Sequence, residues 1–418
     1  MADRTIRATW PLLAGMGILM LGAGLQSTVL GLRATLEGFA PPVTGAIMSC
    51  YYVGYLIGTS AAPQLLEQVG HIRVFAALAA VASAVVLVHA VFVYPVPWAI
   101  LRLCTGVCFA GIYVVAESWL NERASRANRG RLLALYMAVL YIGLGGAQFL
   151  LIIANPSRAT PFMLVSGLIS LAMVPIMISA QHAPPIIKPS KVRFRELYRN
   201  SPLGVVAVSF SGLISSTIFS MGPVYARLRG LNTSQVAAFM AVSILAAVLT
   251  QFPVGRLSDR MERRTVIAWV CILSTAVAAA IVLFPRMPHA LFLLLTACFS
   301  GLVLTLYSQA VSHANDKLEP AQLVGASSAL LQLNGSAAAV GPILAGSLMS
   351  AFGPSAYFAT LGGLTGLLMV YDLWRKSRRG PVPAAQKGPF ISAAPQATSG
   401  QIVVSGASAS ARREGAER

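Results

Sequence analysis

Long apolar stretches recur along nearly the whole chain, and they constrain its fold more than any other feature. Each is close to the roughly 20 residues that a helix needs to cross the hydrocarbon core of a bilayer. Only 11% of the 418 residues are charged, against about 25% in soluble domains. The pattern predicts an all-α integral membrane protein, because lipid offers no partner to unpaired backbone groups. We place twelve transmembrane helices at 10–31, 43–62, 74–94, 97–120, 131–154, 161–180, 202–225, 234–254, 265–285, 289–312, 323–350 and 353–374.

The net charge of +18 follows from how basic residues are distributed between the two membrane faces. They lie in short clusters between the apolar stretches, so we expect no nucleic-acid partner. One side carries Arg4, Arg7, Arg73, Arg123, Arg126, Arg129, Arg131, Lys188, Lys191, Arg193, Arg195, Arg199, Arg256, Arg260, Arg263, Arg264, Lys317 and the C-terminal tail. The other side carries Arg33, Arg158, Arg227, Arg229 and Arg286. This bias predicts a multi-pass protein of the cell (inner) membrane with both termini in the cytoplasm.

The chain repeats itself at a spacing of about 190 residues. The segment Gly255 to Arg264 follows the eighth stretch, as Pro63 to Arg73 follows the second. We divide the chain into an N-terminal six-helix bundle (1–180), a cytoplasmic linker (181–201), a C-terminal six-helix bundle (202–374) and a disordered cytoplasmic tail (375–418). Parallel halves of this kind place a central cavity between them near the bilayer midplane.

Several of these motifs resemble those of a known family. Gly255, Asp259, Arg260, Arg263 and Arg264 are similar to the signature loop of the major facilitator superfamily. In the first-half copy, proline replaces the glycine and Glu67 replaces the aspartate. Arg102-Leu-Cys-Thr-Gly106 is similar to the arginine motif of the family's fourth helix, and Gly341-Pro342-Ile-Leu-Ala345-Gly346 to its Gly-Pro bend motif.

Other segments resemble the YcaD-like branch of that superfamily. They are Leu32-Arg33-Ala34, Glu37-Gly38-Phe39, Val69-Gly70-His71-Ile72-Arg73, Glu117-Ser118-Trp119-Leu120-Asn121 and His313-Ala314-Asn315-Asp316. The resemblance implies a secondary active transporter that moves a small solute by alternating access, as a monomer and without a cofactor. We expect protons to be the coupling ion, because no sodium-site pattern stands out. Efflux is slightly favoured over uptake. The alternative is a transport-inactive membrane sensor or scaffold on the same fold.

An enzyme is not expected. The five histidines, at 71, 89, 182, 289 and 313, form no pair at metal-ligand spacing, so no metal site is expected. The chain also has no Walker loop, which argues against ATP-driven pumping by this chain alone.

Charged residues near the cytoplasmic ends of the helices are candidates for gating and coupling. Glu117 lies near the inner surface, where it is a latch partner for Arg73, a protonatable coupling group, or an interfacial glutamate in headgroup water. Asp259 with Arg260, Arg263 and Arg264 forms a matching latch in the second half, or the arginines only anchor the chain. Glu67, the repeat counterpart of Asp259, and Asp316, the repeat counterpart of Glu122, complete this set.

Polar residues on the helices that line the cavity in superfamily members are candidates for solute binding. These are Gln26, Thr28, Arg102, Tyr113, Ser216, Ser220, Thr305 and Gln309. Arg102 is interpreted as a cavity cation that holds an anionic group or senses a proton carrier; otherwise it reaches the outer interface or bonds carbonyls of helix one. The hydroxyls have a simpler interpretation too, since Ser and Thr often bond the preceding helical turn.

Arg33 and Glu37 lie one helical turn apart at the outer end of the first helix. They are candidates for the outer mouth of the transport path. A simple surface ion pair, of little energetic consequence, is the alternative.

Overall fold

The computed structural model describes residues 2–123, 129–178, 194–316, 318 and 322–376. Within them the chain is helical and contains no strand. The helices are α1 (Ala2–Leu36), α2 (Pro41–Val69), α3 (His71–Val91), α4 (Pro95–Arg123), α5 (Arg129–Ile153), α6 (Thr160–Ile178), α7 (Phe194–Asn200), α8 (Pro202–Leu228), α9 (Thr233–Arg260), α10 (Arg263–Leu283), α11 (His289–Val303), α12 (Leu306–Asn315), α13 (Leu323–Phe352) and α14 (Ala356–Lys376). The predicted disordered tail lies outside the described residues from 377 onward, as does most of the predicted linker.

The predicted all-α membrane fold is confirmed. In the described residues, α1 to α6 form six spans, and α8 to α14 form six more, because α11 and α12 together make one. That span is interrupted at Leu304 and Thr305, where the Thr305 hydroxyl donates to the Leu302 carbonyl at 2.7 Å. The short helix α7 belongs to the segment that the sequence assigns to the linker.

Eleven spans in the described part of the chain are long and apolar enough to be recognised as membrane-crossing, and α2 is not among them. Its position explains its more polar composition. The helix packs on α4 in its own half and on α13 in the other half. Thr44, Ser49 and Tyr55 on α2 are therefore buried against protein rather than exposed to hydrocarbon.

The two halves meet through symmetry-related helices. The second helix of the first half, α2, packs on the fifth span of the second half, α13, and α5 packs on α9 in the reciprocal arrangement. The first spans of the two halves, α1 and α8, also pack together. This reciprocity is what a repeat of two parallel bundles predicts.

Helices α2 and α9 extend further at one end than the apolar stretches on which they were predicted. We call the end that carries the α2–α3, α4–α5 and α9–α10 connections the inner end, following the orientation that the sequence predicts. There the segment from Gly255 to Arg260, expected in a loop, forms the last turns of α9. Only Met261 and Glu262 separate α9 from α10. Polar residues continue the helix because its intrahelical hydrogen bonds are satisfied in lipid and in water alike.

Helices α2 and α4 approach each other closely through glycines. A Cβ on Gly54 would overlap the Leu103 carbonyl oxygen, and a Cβ on Gly106 would overlap that of Tyr51. At Gly58 the added carbon would lie 2.6 Å from the Val107 oxygen. Small residues allow this backbone contact, which provides the van der Waals packing that holds helices together in lipid.

We predict that Gly106→Ala destabilises the protein by about 1–3 kcal/mol, because the new methyl group forces α2 away from α4. Unfolding of the purified protein in detergent, followed by tryptophan fluorescence, measures the effect. Gly167→Ala is the matched control, since nothing lies within 4 Å of a Cβ at Gly167. Equal stability of the two variants would contradict the assigned α2–α4 contact.

Candidate functional site

A cavity of about 50 Å³ lies among α1, α2, α4, α5, α8 and α9. It is far smaller than the 300–1,000 Å³ of typical ligand pockets. Its lining includes Gln26, Ser27, Thr28, Tyr51, Tyr52, Arg102, Phe109, Tyr113, Gln148, Phe219 and Ser220. None of the lining residues is acidic.

Five of the predicted cavity residues line this space, and three do not. Gln26, Thr28, Arg102, Tyr113 and Ser220 are at the cavity. The other three side chains are buried and form hydrogen bonds away from the cavity. Ser216 donates to the Leu213 carbonyl at 3.1 Å, Thr305 closes the turn described above, and Gln309 accepts from Ser258 at 2.7 Å.

The sequence interpretation missed several lining residues, because it took only the first, fourth, seventh and tenth spans as cavity helices. Tyr51 and Tyr52 come from α2, and Gln148 comes from α5. Gln148 accepts a hydrogen bond from Thr28 at 2.8 Å and donates to the Leu144 carbonyl at 3.1 Å. The tyrosine pair and the lone glutamine in an otherwise apolar span were signals that could have identified them.

Arg102 is 5% exposed, so its side chain lies inside the helical bundle. The centre of its guanidinium group lies 4.5 Å from the centroid of the Tyr51 ring. Its Nε atom has no hydrogen-bond partner, and among the described residues it forms no ion pair. The side-chain amide nitrogen of Gln26, on the same cavity, also has no partner. Tyr52, one residue from the stacked ring, is within hydrogen-bonding reach of Ser220 in α8.

Glu117 is completely buried where the two halves meet. Tyr55, Tyr113 and Tyr136 of the first half and Tyr307 of the second lie within electrostatic range of it. The hydroxyls of Tyr136 and Tyr307 are buried and have no hydrogen-bond partner. Glu117 thus sits in a cluster of phenol groups drawn from both halves.

The predicted pair between Glu117 and Arg73 does not form, because Arg73 is exposed while Glu117 is buried within α4. The residue that approaches this part of α4 is instead His71, at the start of α3. Its Nε2 atom lies 3.0 Å from the Ser118 hydroxyl oxygen. The two segments that resemble the YcaD-like branch, around His71 and around Glu117, are therefore in contact. The contact is between His71 and Ser118 rather than between Arg73 and Glu117.

The inner end of the second half is held by a buried ion pair. Arg263 Nε lies 2.7 Å from Asp316 Oδ2, with the two side chains 2% and 4% exposed. The same guanidinium donates to Ser258 at 3.3 Å, and Ser258 donates to Gln309. This chain of contacts joins α9, α10 and α12.

The other predicted gating residues do not belong to that ion pair, and most of them are exposed. Asp259, Arg260 and Glu67 are exposed, and Asp259 lies in the last turn of α9, not at the helix N-terminus that would favour its charge. Arg264 is buried. It is within electrostatic range of Asp372, a buried residue of α14 that was not predicted and whose carboxylate oxygens both lack a hydrogen-bond partner.

At the outer end, Arg33 Nε and Glu37 Oε1 form the predicted pair at 2.7 Å. Arg33 also donates to the carbonyls of Pro156 and Ser157 in the α5–α6 connection. The arginine therefore ties the end of α1 to a neighbouring loop. Within the described residues, no group of three or more His, Cys, Asp or Glu side chains is placed to hold a metal ion.

The helical architecture and the central cavity agree with a family assignment. A family model described as Major Facilitator Superfamily matches residues 12–338 and 235–407. The chain belongs to the major facilitator superfamily and is a multi-pass membrane transporter, a class that moves small molecules across the bilayer.

Particular proteins resemble it along most of its length. YcaD of Escherichia coli (strain K12 / DH10B), described as an uncharacterized MFS-type transporter, is 28% identical over 377 residues, which cover 90% of this chain and 97% of YcaD. The solved structure of the nucleoside transporter NupG has a TM-score of 0.73 at 13% identity, covering 88% of this chain and 98% of NupG. A bacterial homolog of the human lysosomal transporter Spinster, inward-facing and unoccupied, has a TM-score of 0.67 at 14% identity, covering 97% and 98%. These two structures show the shared fold alone.

We predict that Asp316→Ala lowers the free energy of unfolding by about 3–5 kcal/mol, because it removes the carboxylate that pairs with the buried Arg263. Denaturant unfolding in detergent micelles measures this change. Arg260→Ala, at the exposed end of α9, is the control and is expected to stay within about 0.5 kcal/mol of the unmodified protein. A small effect at Asp316 would contradict a structural role for the pair.

Proposed function

We propose that this protein is a proton-coupled secondary transporter, in which the cavity binds a small solute and Glu117 carries the coupled proton. The observation that carries the proposal is the location of Glu117. It is fully buried and within electrostatic range of phenol groups from both halves of the molecule. Ionisable residues inside membrane bundles typically mark proton relays and substrate pathways.

The position of Glu117 links protonation to the movement of the halves. Tyr307 on α12 helps to enclose it from the second half, whereas Tyr55, Tyr113 and Tyr136 belong to the first. Rocking of one half against the other at the inner end removes α12 from Glu117 and admits water. A proton is then exchanged with the cytoplasm only in the open state. With the halves closed, Glu117 is shielded from that side.

The solute is bound and released in the same cycle, at a site separate from Glu117. Arg102 and Glu117 lie on the same helix, 15 residues apart, which corresponds to about 22 Å at the rise of an α-helix. The proton and the solute therefore do not compete for one group. Their coupling passes through the conformation of the two halves, as alternating access requires.

A comparison of cells tests whether solute is moved at all. Small molecules are measured inside and outside cells that lack the chain, overexpress it, or overexpress Glu117→Gln. We expect at least one metabolite to change with the unmodified protein and not with the variant, with export as the favoured direction. No change in any metabolite across several growth conditions would favour the sensor or scaffold alternative.

We predict that Glu117→Gln abolishes uphill transport of that metabolite but retains exchange between equal pools, because the amide cannot carry a proton yet keeps the side-chain shape. Proteoliposomes with an imposed pH gradient measure the first activity, and counterflow of labelled solute measures the second. Glu196→Gln, on the exposed surface of α7, is the matched control and is expected to retain both. Uphill transport by Glu117→Gln would exclude this residue as the proton carrier.

A further inference from the structure

Arg102 is a buried cation whose counter-charge does not come from any residue that the structure describes. The titratable groups around its guanidinium are Cys50, Tyr51, Tyr52 and His89, and none of them is a carboxylate. The nearer of the two acidic residues on its own helix, Glu117, lies about 22 Å away along the axis. The charge of Arg102 is therefore exposed to the cavity and to little else.

Such a charge is costly unless something pairs with it. Removing an arginine from water carries a penalty of several kcal/mol, which an opposite charge with good hydrogen bonds can offset. The Tyr51 ring at 4.5 Å compensates only in part, since a cation–π contact covers one face of the guanidinium plane. The edge of the group, with the unpartnered Nε atom, remains available to an acceptor.

The cavity has a second unused donor and an apolar, aromatic lining. The Gln26 amide nitrogen has no acceptor and lies on the same cavity as Arg102. Phe109, Tyr113 and Phe219 contribute aromatic surface to that lining. One cation beside one amide matches a singly charged carboxylate. A phosphate monoester, with a charge near −2, would leave much of its charge unpaired.

We infer that the transported solute is a small organic acid bound as its carboxylate anion, with the carboxylate against Arg102 and Gln26 and an apolar body against the aromatic rings. This inference rests on the proposed transport function and specifies its substrate class. A planar carboxylate presents two acceptor oxygens in the geometry that the guanidinium fork binds best.

Ligand-dependent thermal unfolding of the purified full-length protein tests this assignment. The probes are sodium benzoate, phenylacetate and 4-hydroxybenzoate, each compared with its own primary amide, and sodium chloride at equal ionic strength as the inorganic anion. The variants are Arg102→Gln and Arg102→Lys. Arg229→Gln is the matched control, because Arg229 also stacks on an aromatic ring, with its guanidinium centre 4.2 Å from the Phe292 centroid, but lines a different cavity, beside Pro285 and Phe358.

We expect at least one acid to raise the unfolding midpoint, its amide and chloride to have no comparable effect, and Arg102→Gln to lose the shift. Arg102→Lys should bind at least about tenfold more weakly, because it lacks the bidentate fork. Arg229→Gln should respond like the unmodified protein.

Four results would overturn the inference: amides that stabilise as well as acids, acids that stabilise Arg102→Gln equally, chloride that accounts for the whole shift, or no response to any acid. A neutral metabolite transported in the cell comparison, with dependence on Glu117, would refute the substrate class and leave the proposed function standing. If no metabolite is transported, the proposed function itself fails.

Discussion

The absence of hydrogen-bond partners in hydrocarbon is the constraint on which the rest of this structure depends. It requires the backbone to be helical, and it requires polar side chains to find partners inside the bundle. Thr28 bonds Gln148, Ser83 lies 2.7 Å from the Ser166 hydroxyl, and Thr275 lies 2.8 Å from that of Thr365. Some buried polar atoms remain unpaired, among them the Tyr136 and Tyr307 hydroxyls. A guanidinium edge without an acceptor is more costly than these, because a charge is removed from water along with the hydrogen-bonding group.

The two halves share a helix order but differ in the groups that surround their buried charges. In the second half, the inner end contains the Arg263–Asp316 pair and hydrogen bonds that extend from it to Gln309. In the first half, the buried ionisable groups include Arg102 and Glu117, and the groups around each are mainly tyrosines. The two halves therefore have similar helix arrangements. An ion pair stabilises the inner end of the second half, whereas the buried charges of the first half lie at the cavity and at the interface between the halves.

The sequence was enough to predict the spans and their grouping, because both depend on apolar length and on the repeat. It also identified Arg102, since a charge inside a span is conspicuous. Gln148 and Tyr51 were missed because the sequence of an almost wholly apolar helix does not show which of its faces points toward the cavity. That face is determined by how the helices cross one another. The Arg73–Glu117 pair was predicted wrongly for a related reason. The spacing of residues along the chain indicates how deep a side chain lies in the membrane, but not which side chain of the next helix lies beside it. Here His71, not Arg73, contacts α4, at Ser118.

The composition of α2 has a consequence for biogenesis. A helix that is less apolar than the other eleven spans gains less than they do from entering lipid alone. What stabilises α2 in the membrane is contact with α4, through the glycines at 54, 58 and 106, and later with α13. The contact with α4 therefore adds stabilisation that the apolar length of α2 alone does not supply, and we expect stable insertion of α2 to depend on the presence of α4.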